Sequence, residues 1–239
     1  MATLAQSPSS AEQRERLFFL VMAFVIAAHM VIAFSFFRLI GMSSFGAPWW
    51  VHVHAITMFA WLGLYVAQNW LVWRGRIANH RRLGILLAAF AVWVVVIGFA
   101  VTAMNVHTHR TLGFTSLPSF LAADWTGITA FGTLVAGAIV LRRRPDWHKR
   151  LMLAAMIALI GPGIARLLPV PLLLDMTGWA VFAIQLAYLA AAMIFDRRTR
   201  GTVHAAWYWG VGAAFSEVFL PFGLVAFPPF AALADAIAG

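Results

Sequence analysis

The chain has 239 residues, of which 63% are hydrophobic and only 10% are charged, and its mean hydropathy is +0.86. No soluble domain of this length is so apolar, and the absence of cysteine excludes disulfides, thiolate metal sites and cysteine nucleophiles. The net charge of +9 does not indicate nucleic-acid binding, because the basic residues lie in short loops between apolar segments, where membrane topology explains them.

Apolar runs of about 20 residues, the length that crosses the bilayer core, follow one another along the chain. An apolar segment must satisfy its own backbone in lipid, and none alternates as a barrel strand does, so the runs are predicted to be helices. The sequence predicts an all-α integral membrane protein with seven transmembrane helices, at residues 17–40, 50–73, 83–106, 120–141, 151–169, 176–195 and 206–227.

The predicted transmembrane domain therefore covers residues 17–227. The polar segment 1–16 before it is expected to be a disordered cytoplasmic tail, and residues 228–239 after it are expected to be a short outer tail. The apolar stretch that starts at Leu17 is too long for a cleaved signal peptide and is interpreted as a membrane span.

Short signals recur between the apolar runs. His80-Arg81-Arg82-Leu83 resembles His148-Lys149-Arg150-Leu151, and Asp124-Trp125-Thr126-Gly127 resembles Asp175-Met176-Thr177-Gly178. These repeats indicate one leading helix followed by three related hairpins. Repeated hairpins in a membrane tend to gather equivalent residues around one axis, so a shared polar chamber is expected.

The distribution of basic residues predicts the orientation. With the N-terminus in the cytoplasm, fourteen of the Lys and Arg residues fall on the inner side, and only Arg38, Arg110 and Arg166 fall on or near the outer side. Cytoplasmic loops are enriched in Lys and Arg. The chain is therefore predicted to have its N-terminus in the cytoplasm and its C-terminus outside.

Three carboxylates fall within the predicted membrane segments: Asp124, Asp175 and Glu217. A carboxylate in hydrocarbon costs roughly 2.5–3.5 kcal/mol, so each is expected to face the bundle interior, to pair or to titrate. Helix capping is an alternative for the two aspartates, and an ion pair with Arg166 is an alternative for Glu217. The other acids are expected to be solvated: Glu12, Glu15, Asp146, Asp196 and Asp235.

Histidines gather at the predicted outer ends of helices 2 and 3, at His52, His54, His107 and His109. His54 and His107 come to similar depth on adjacent antiparallel helices, so they could ligate a metal or a haem iron. An interfacial position is the alternative for each histidine taken singly. On the inner side His80, His148 and His204 occupy comparable turns, where flanking arginines favour anionic lipid headgroups over a cation.

Two predicted helices carry breaks. Gly161-Pro162-Gly163 interrupts the fifth helix, and Pro221 follows Glu217 by one turn in the seventh. Proline removes a backbone hydrogen bond and exposes a carbonyl. Broken helices beside charged residues commonly line a membrane cavity.

Several segments resemble an uncharacterised family of bacterial seven-helix inner-membrane proteins. The resembling pieces are His54…Trp61…Gln68, His80-Arg81-Arg82-Leu83-Gly84, Asp146-Trp147-His148-Lys149-Arg150-Leu151-Met152 and Ala165-Arg166-Leu167, about half of the chain. The resemblance implies a seven-helix membrane protein and carries no named activity.

Three functions are consistent with these features. The first is metal- or haem-dependent redox chemistry, with quinone or another small molecule as partner and with ligands from His52, His54, His107, His109 and Asp124. Its catalytic or proton-relaying residues would be Glu217, Asp124, Asp175 and Arg166. The second is a proton-coupled carrier that uses Glu217 and Arg166, and the third is an accessory subunit of a membrane complex. The residues do not select a substrate, a metal or an oligomeric state.

Overall fold

The computed structural model describes residues 9–111, 116–168 and 176–239, which form nine helices and no strand. The helices are α1 (Ser10–Leu39), α2 (Trp49–Trp73), α3 (Ile77–His107), α4 (Leu117–Val140), α5 (Pro145–Leu159), α6 (Gly161–Leu167), α7 (Thr177–Arg200), α8 (Ala206–Ala226) and α9 (Pro228–Ala238). Within the described ranges the predicted all-α class is confirmed.

Six of these helices are long and apolar enough to cross a membrane: α1, α2, α3, α4, α7 and α8. The pair α5 and α6 passes the same test together but bends by 43° at the break between them, so up to seven spans exist if the pair counts as one. The bend falls at the predicted break. Pro162 has no backbone N–H to offer to the carbonyl of Ala158, four residues earlier.

Helix α5 lies at the centre of the bundle. Every residue from Leu153 to Ala158 is buried, and α5 packs against α1, α4, α7 and α8. Its Met156 Sδ accepts a hydrogen bond of 3.3 Å from the indole Nε1 of Trp61 on α2. A helix that is apolar on all sides is expected at such a buried position.

The basic turns 74–76, 141–144 and 201–205 lie at one end of the bundle, which we call the basic end. Arg16 on α1 donates to the carbonyl of Val72 on α2 at 3.3 Å, and Arg150 on α5 binds Asp196 on α7. The N-terminal ends of α1 and α5 and the C-terminal ends of α2 and α7 therefore meet there.

Both predicted tails contain helix. Residues 10–16, expected to be disordered, form the first turns of α1, where the side chain of Ser9 caps the N–H of Glu12. The segment 228–239 contains α9, whose Ala234 packs against Val106 and Leu121. Residues 1–8 lie outside the described part of the chain.

Candidate functional site

Glu217 lies near the middle of α8 with its carboxylate inside the bundle. Its Oε2 accepts a hydrogen bond of 2.8 Å from Nε2 of Gln185 on α7, whereas its Oε1 is buried and has no hydrogen-bond partner. A Cβ atom on Gly127 of α4 would lie 4.0 Å from the Glu217 carboxyl carbon. The carboxylate of Glu217 therefore packs against α4 at Gly127.

Gln185 connects this carboxylate to the break between α5 and α6. The side chain is 1% exposed, and its Nε2 also lies 3.3 Å from the carbonyl oxygens of Ile157 and Ala158. The Ala158 carbonyl faces Pro162, which cannot donate to it. Gln185 thus takes over a carbonyl that the broken helix leaves free, as buried backbone groups require.

The carbonyl of Glu217 lies beside a second break. Pro221 stands four residues later inside α8 and lacks the N–H that would bond to this carbonyl. Glu217 therefore combines an unpartnered carboxylate oxygen with a weakened stretch of helix. Such a combination of a carboxylate and broken helices is typical of sites where ions or protons bind within a membrane.

A second polar group, formed by Asp124, Arg166 and His54, lies nearby. Asp124 accepts a hydrogen bond of 3.3 Å from Thr102 Oγ1, and the charge of Arg166 acts on both Asp124 and His54. The Nδ1 of His54 is buried without a hydrogen-bond partner. Asp124 precedes Gly127 by three residues, which places both on the same face of α4, one turn apart.

The guanidinium of Arg166 contacts a backbone carbonyl of its own helix and two phenylalanine rings of α1. Its Nη1 donates to the carbonyl of Pro162 at 2.7 Å, and its guanidinium carbon lies 4.2 Å from the ring centroid of Phe34 and 5.3 Å from that of Phe37. None of the ion pairs among the described residues includes Arg166 or Glu217. The predicted pairing of Glu217 with Arg166 is therefore wrong.

The predicted capping by Asp124 is also wrong. Helix α4 begins at Leu117, and its N-cap is Ser116, whose side chain accepts a hydrogen bond from the N–H of Ser119. Asp124 lies about two turns inside the helix, so its side chain cannot reach the free N–H groups at the start. The matching aspartate, Asp175, lies outside the described residues.

The other predicted ligands are dispersed. His52 Nε2 lies 3.1 Å from the carbonyl of Phe45 and 3.0 Å from that of Ala47, and His107 Nδ1 lies 2.9 Å from the carbonyl of Ile237 on α9. His109 is exposed and has a positive φ of 53°. Across the three described ranges, no group of three or more His, Asp or Glu side chains is placed to hold a metal ion. The metal centre predicted from His52, His54, His107, His109 and Asp124 is not formed there.

A buried charged network at the basic end was not expected. Arg150 is 0% exposed and Asp196 is 1% exposed; Arg150 Nε and Nη2 donate to the two carboxylate oxygens of Asp196 at 2.8 and 2.6 Å. The Nη2 atom also contacts Glu15 at 3.1 Å, and Trp207 Nε1 donates to Asp196 at 2.7 Å. These contacts join α1, α5, α7 and α8.

The network corrects one expectation from the sequence. Asp196 was expected to be solvated, but it is buried, as is its partner Trp207. One feature of the sequence could have indicated this network. The positive-inside rule accounts for the arginines that follow Asp196, but it does not account for the aspartate itself. An acid retained beside a basic loop suggests a specific partner.

Comparison with known proteins gives no family for this chain. It matches no protein-family model, and neither curated proteins nor solved structures gave a match. The most distinctive polar group is the one around Glu217.

Proposed function

We propose that the chain is a proton-coupled membrane transporter, in which Glu217 is the residue that takes up and releases the proton. The observation that carries the proposal is the buried and unpartnered Oε1 of Glu217, next to a Gln185 side chain that satisfies only Oε2. A carboxylate at this depth without a paired cation is stable when it is protonated or when it holds a cation.

A coupling residue must change its charge state during the transport cycle without disrupting the bundle. Gln185 supports this, because an amide N–H can donate to a carboxyl oxygen in either protonation state. An arginine partner would instead hold the carboxylate permanently ionised. The absence of an ion pair at Glu217 within the described residues is thus a feature that a proton carrier needs.

The two helix breaks supply the mobility that a carrier needs. Glu217 contacts α7 through Gln185 and lies against α4 at Gly127, and Gln185 contacts the carbonyls at the end of α5. A shift of α6 about the 43° bend would change these contacts first. Carriers commonly move broken helices around a site near the bilayer midplane.

The polar group of Asp124, Arg166 and His54 belongs to the same proposed pathway. It lies one turn along α4 from the contact with Glu217, and the Arg150–Asp196 pair closes the basic end. We therefore infer that the polar interior opens at the opposite end in this conformation. Arg166 offers a positive charge at that entrance for an anionic group of a small-molecule substrate.

The membrane placement belongs to the same proposal. The bent pair α5 and α6 counts as one span, which gives seven spans, one leading helix and three related hairpins. The basic end faces the cytoplasm of a bacterial cell and the C-terminus faces outward, as the bias of Lys and Arg indicates. The lipid bilayer is the expected surrounding.

Proton flux into proteoliposomes tests the proposal. The full chain is reconstituted with a pH-sensitive dye inside, and a potassium gradient with valinomycin drives protons inward. We expect flux with the wild-type chain and a fall to the rate of protein-free liposomes with Glu217→Gln, which keeps the acceptor for Gln185 but cannot carry a proton. Asp235→Asn, an exposed carboxyl on α9, is the matched control and should retain the flux.

Two results would contradict proton transport by Glu217. One is a wild-type chain that conducts no more than protein-free liposomes, and the other is a Glu217→Gln variant that conducts as well as the wild type. The alternative proposals are redox chemistry on a haem or transition metal, with quinone as partner, and an accessory role in a membrane complex. A purified chain without a Soret band and without stoichiometric iron, copper or zinc would remove the redox alternative.

A further inference from the structure

Two histidines from separate helices lie close together at the basic end, apart from the site around Glu217. His80 lies in the first turn of α3 and His148 in the first turn of α5, and their ring centroids are 6.2 Å apart with the planes at 75°. His204, the third histidine at this end, does not join them. Its ring lies 5.1 Å from the ring of Trp147, and its Nδ1 accepts from the N–H of Ala206.

Each of the two rings keeps one nitrogen that the protein does not use. His148 Nδ1 donates to the carbonyl of Ala138 on α4 at 2.8 Å, which leaves a lone pair on its Nε2. Nδ1 of His80 is buried without a hydrogen-bond partner, so it is the nitrogen of that ring that remains for a ligand.

A third acceptor, the side-chain amide oxygen of Gln68, lies beside the face of α3 that carries His80. Gln68 is 8% exposed, and its side-chain Oε1 is buried without a hydrogen-bond partner. Its Nε2 lies 3.6 Å from the position that a Cβ on Gly84 would take. Gly84 follows His80 by one turn of α3, so the amide lies on the helix face that carries His80.

We propose that His80 and His148, with the amide oxygen of Gln68, bind a first-row transition-metal ion of the class that imidazole prefers, such as zinc or copper. Metal–imidazole nitrogen distances of about 2.0–2.1 Å put two rings on one ion at centroid separations of about 5–6.5 Å, the range observed here. The inference does not depend on the transport function of Glu217.

The surroundings match a metal site in two further respects. Ligating histidines usually donate their other ring N–H to a carbonyl or carboxylate, which fixes the tautomer; the carbonyl of Ala138 does this for His148. The buried His80 Nδ1 and Gln68 Oε1 have no hydrogen-bond partner, and a cation would satisfy both together with the lone pair of His148 Nε2.

The neighbouring arginines weaken this site but do not exclude it. Arg81 and Arg82 are exposed, so their charges are screened by solvent or by headgroup phosphates. We therefore expect a site of modest affinity rather than a permanently occupied structural centre.

Calorimetric titration of Zn²⁺ into the full chain, purified in detergent without a histidine tag, tests the proposal. We expect about one site per chain. His80→Ala and His148→Gln should each weaken binding by at least about tenfold, and Gln68→Leu by a smaller factor. His204→Ala, which removes a histidine from the same end without touching the pair, should bind as the wild type does.

Size-exclusion profiles and circular dichroism of each variant show whether the bundle is retained. Titration with Co²⁺ gives a second readout, because its absorption bands report nitrogen ligation directly and should disappear in His80→Ala and His148→Gln. The proposal is overturned if the wild-type chain binds no Zn²⁺. It is also overturned if folded His80→Ala and His148→Gln variants bind as the wild type does, or if His204→Ala loses binding as they do.

Discussion

Asp196 shows how a single charged residue can be fixed far from where its sequence neighbours lie. It follows a long apolar run and precedes two arginines, yet it is buried because Arg150, Trp207 and the N–H of His204 all donate to it. A buried ion pair is a weak source of stability, since desolvation offsets most of the attraction. The pair instead fixes how the helices pack, because removing either residue leaves the other charge buried without a partner.

Removing one partner of this pair should therefore destabilise the chain far more than removing both. We expect Asp196→Leu to cost about 3–5 kcal/mol, because Arg150 is left buried with an uncompensated charge. The double variant Arg150→Met with Asp196→Leu should recover most of that loss. Apparent Tm values in detergent measure both. If Asp196→Leu lowers Tm no more than the exposed-site control Asp235→Leu, the network does not hold the basic end.

The crossing of α8 over α5 and α7 depends on a single small residue. A Cβ on Gly210 would lie 2.9 Å from Cβ of Ala154 and 2.9 Å from Cδ2 of Leu189. The Ala154 atom cannot rotate away, so the helices would have to separate. Small residues at helix crossings let membrane helices approach closely, where dispersion is the main attraction.

A pair of glycine substitutions in α8 should therefore have opposite effects. Gly210→Ala should destabilise the chain by about 1–3 kcal/mol through overpacking, whereas Gly212→Ala has nothing within 4 Å of the new Cβ. The second change should be neutral or stabilising by up to about 1 kcal/mol, because alanine favours helix. Thermal unfolding of both variants in one detergent compares them, and equal Tm values would contradict the close crossing.

The helices were predictable from sequence to the extent that apolar runs define them. Helix α2 is Trp49–Trp73 against a predicted 50–73, because the apolar run stops at Arg74. The start of α1 was missed, because its polar first turns are held by Glu15, which binds Lys149 and Arg150 of α5. Local polarity does not reveal a partner 134 residues away.

The polar interior was predictable in composition but not in pairing. Glu217 was expected inside the bundle, yet its partner is Gln185 and not Arg166. The difference arises from helix rotation: a shift of about 100° per residue decides which side chain of α7 faces α8, and apolar composition does not fix that angle when every face is apolar. Because α7 and α8 are apolar on nearly every face, the sequence does not predict that Glu217 pairs with Gln185.

The arrangement of the whole molecule follows from contacts at the basic end. Arg150 binds Glu15 and Asp196, which puts the N-terminal ends of α1 and α5 and the C-terminal end of α7 together. Helix α7 has 24 residues and is about 36 Å long, so it starts at the opposite end. The pair α5 and α6 leaves the basic end, and we predict that it leads the chain across to the opposite end as a seventh span.

Reporter fusions decide whether this pair acts as a span. With seven spans, the N- and C-termini lie on opposite sides of the membrane; with α5 and α6 re-entrant and six spans, they lie on the same side. We expect a fluorescent reporter fused before Ser9 to glow in the cytoplasm and an alkaline phosphatase fused after Gly239 to be active outside, because the bias of basic residues holds the basic end inside. A phosphatase fused near Gly46, in the turn between α1 and α2, is the control and should be active outside. If that fusion is active while the fusion at Gly239 is inactive, α5 and α6 turn back and do not span.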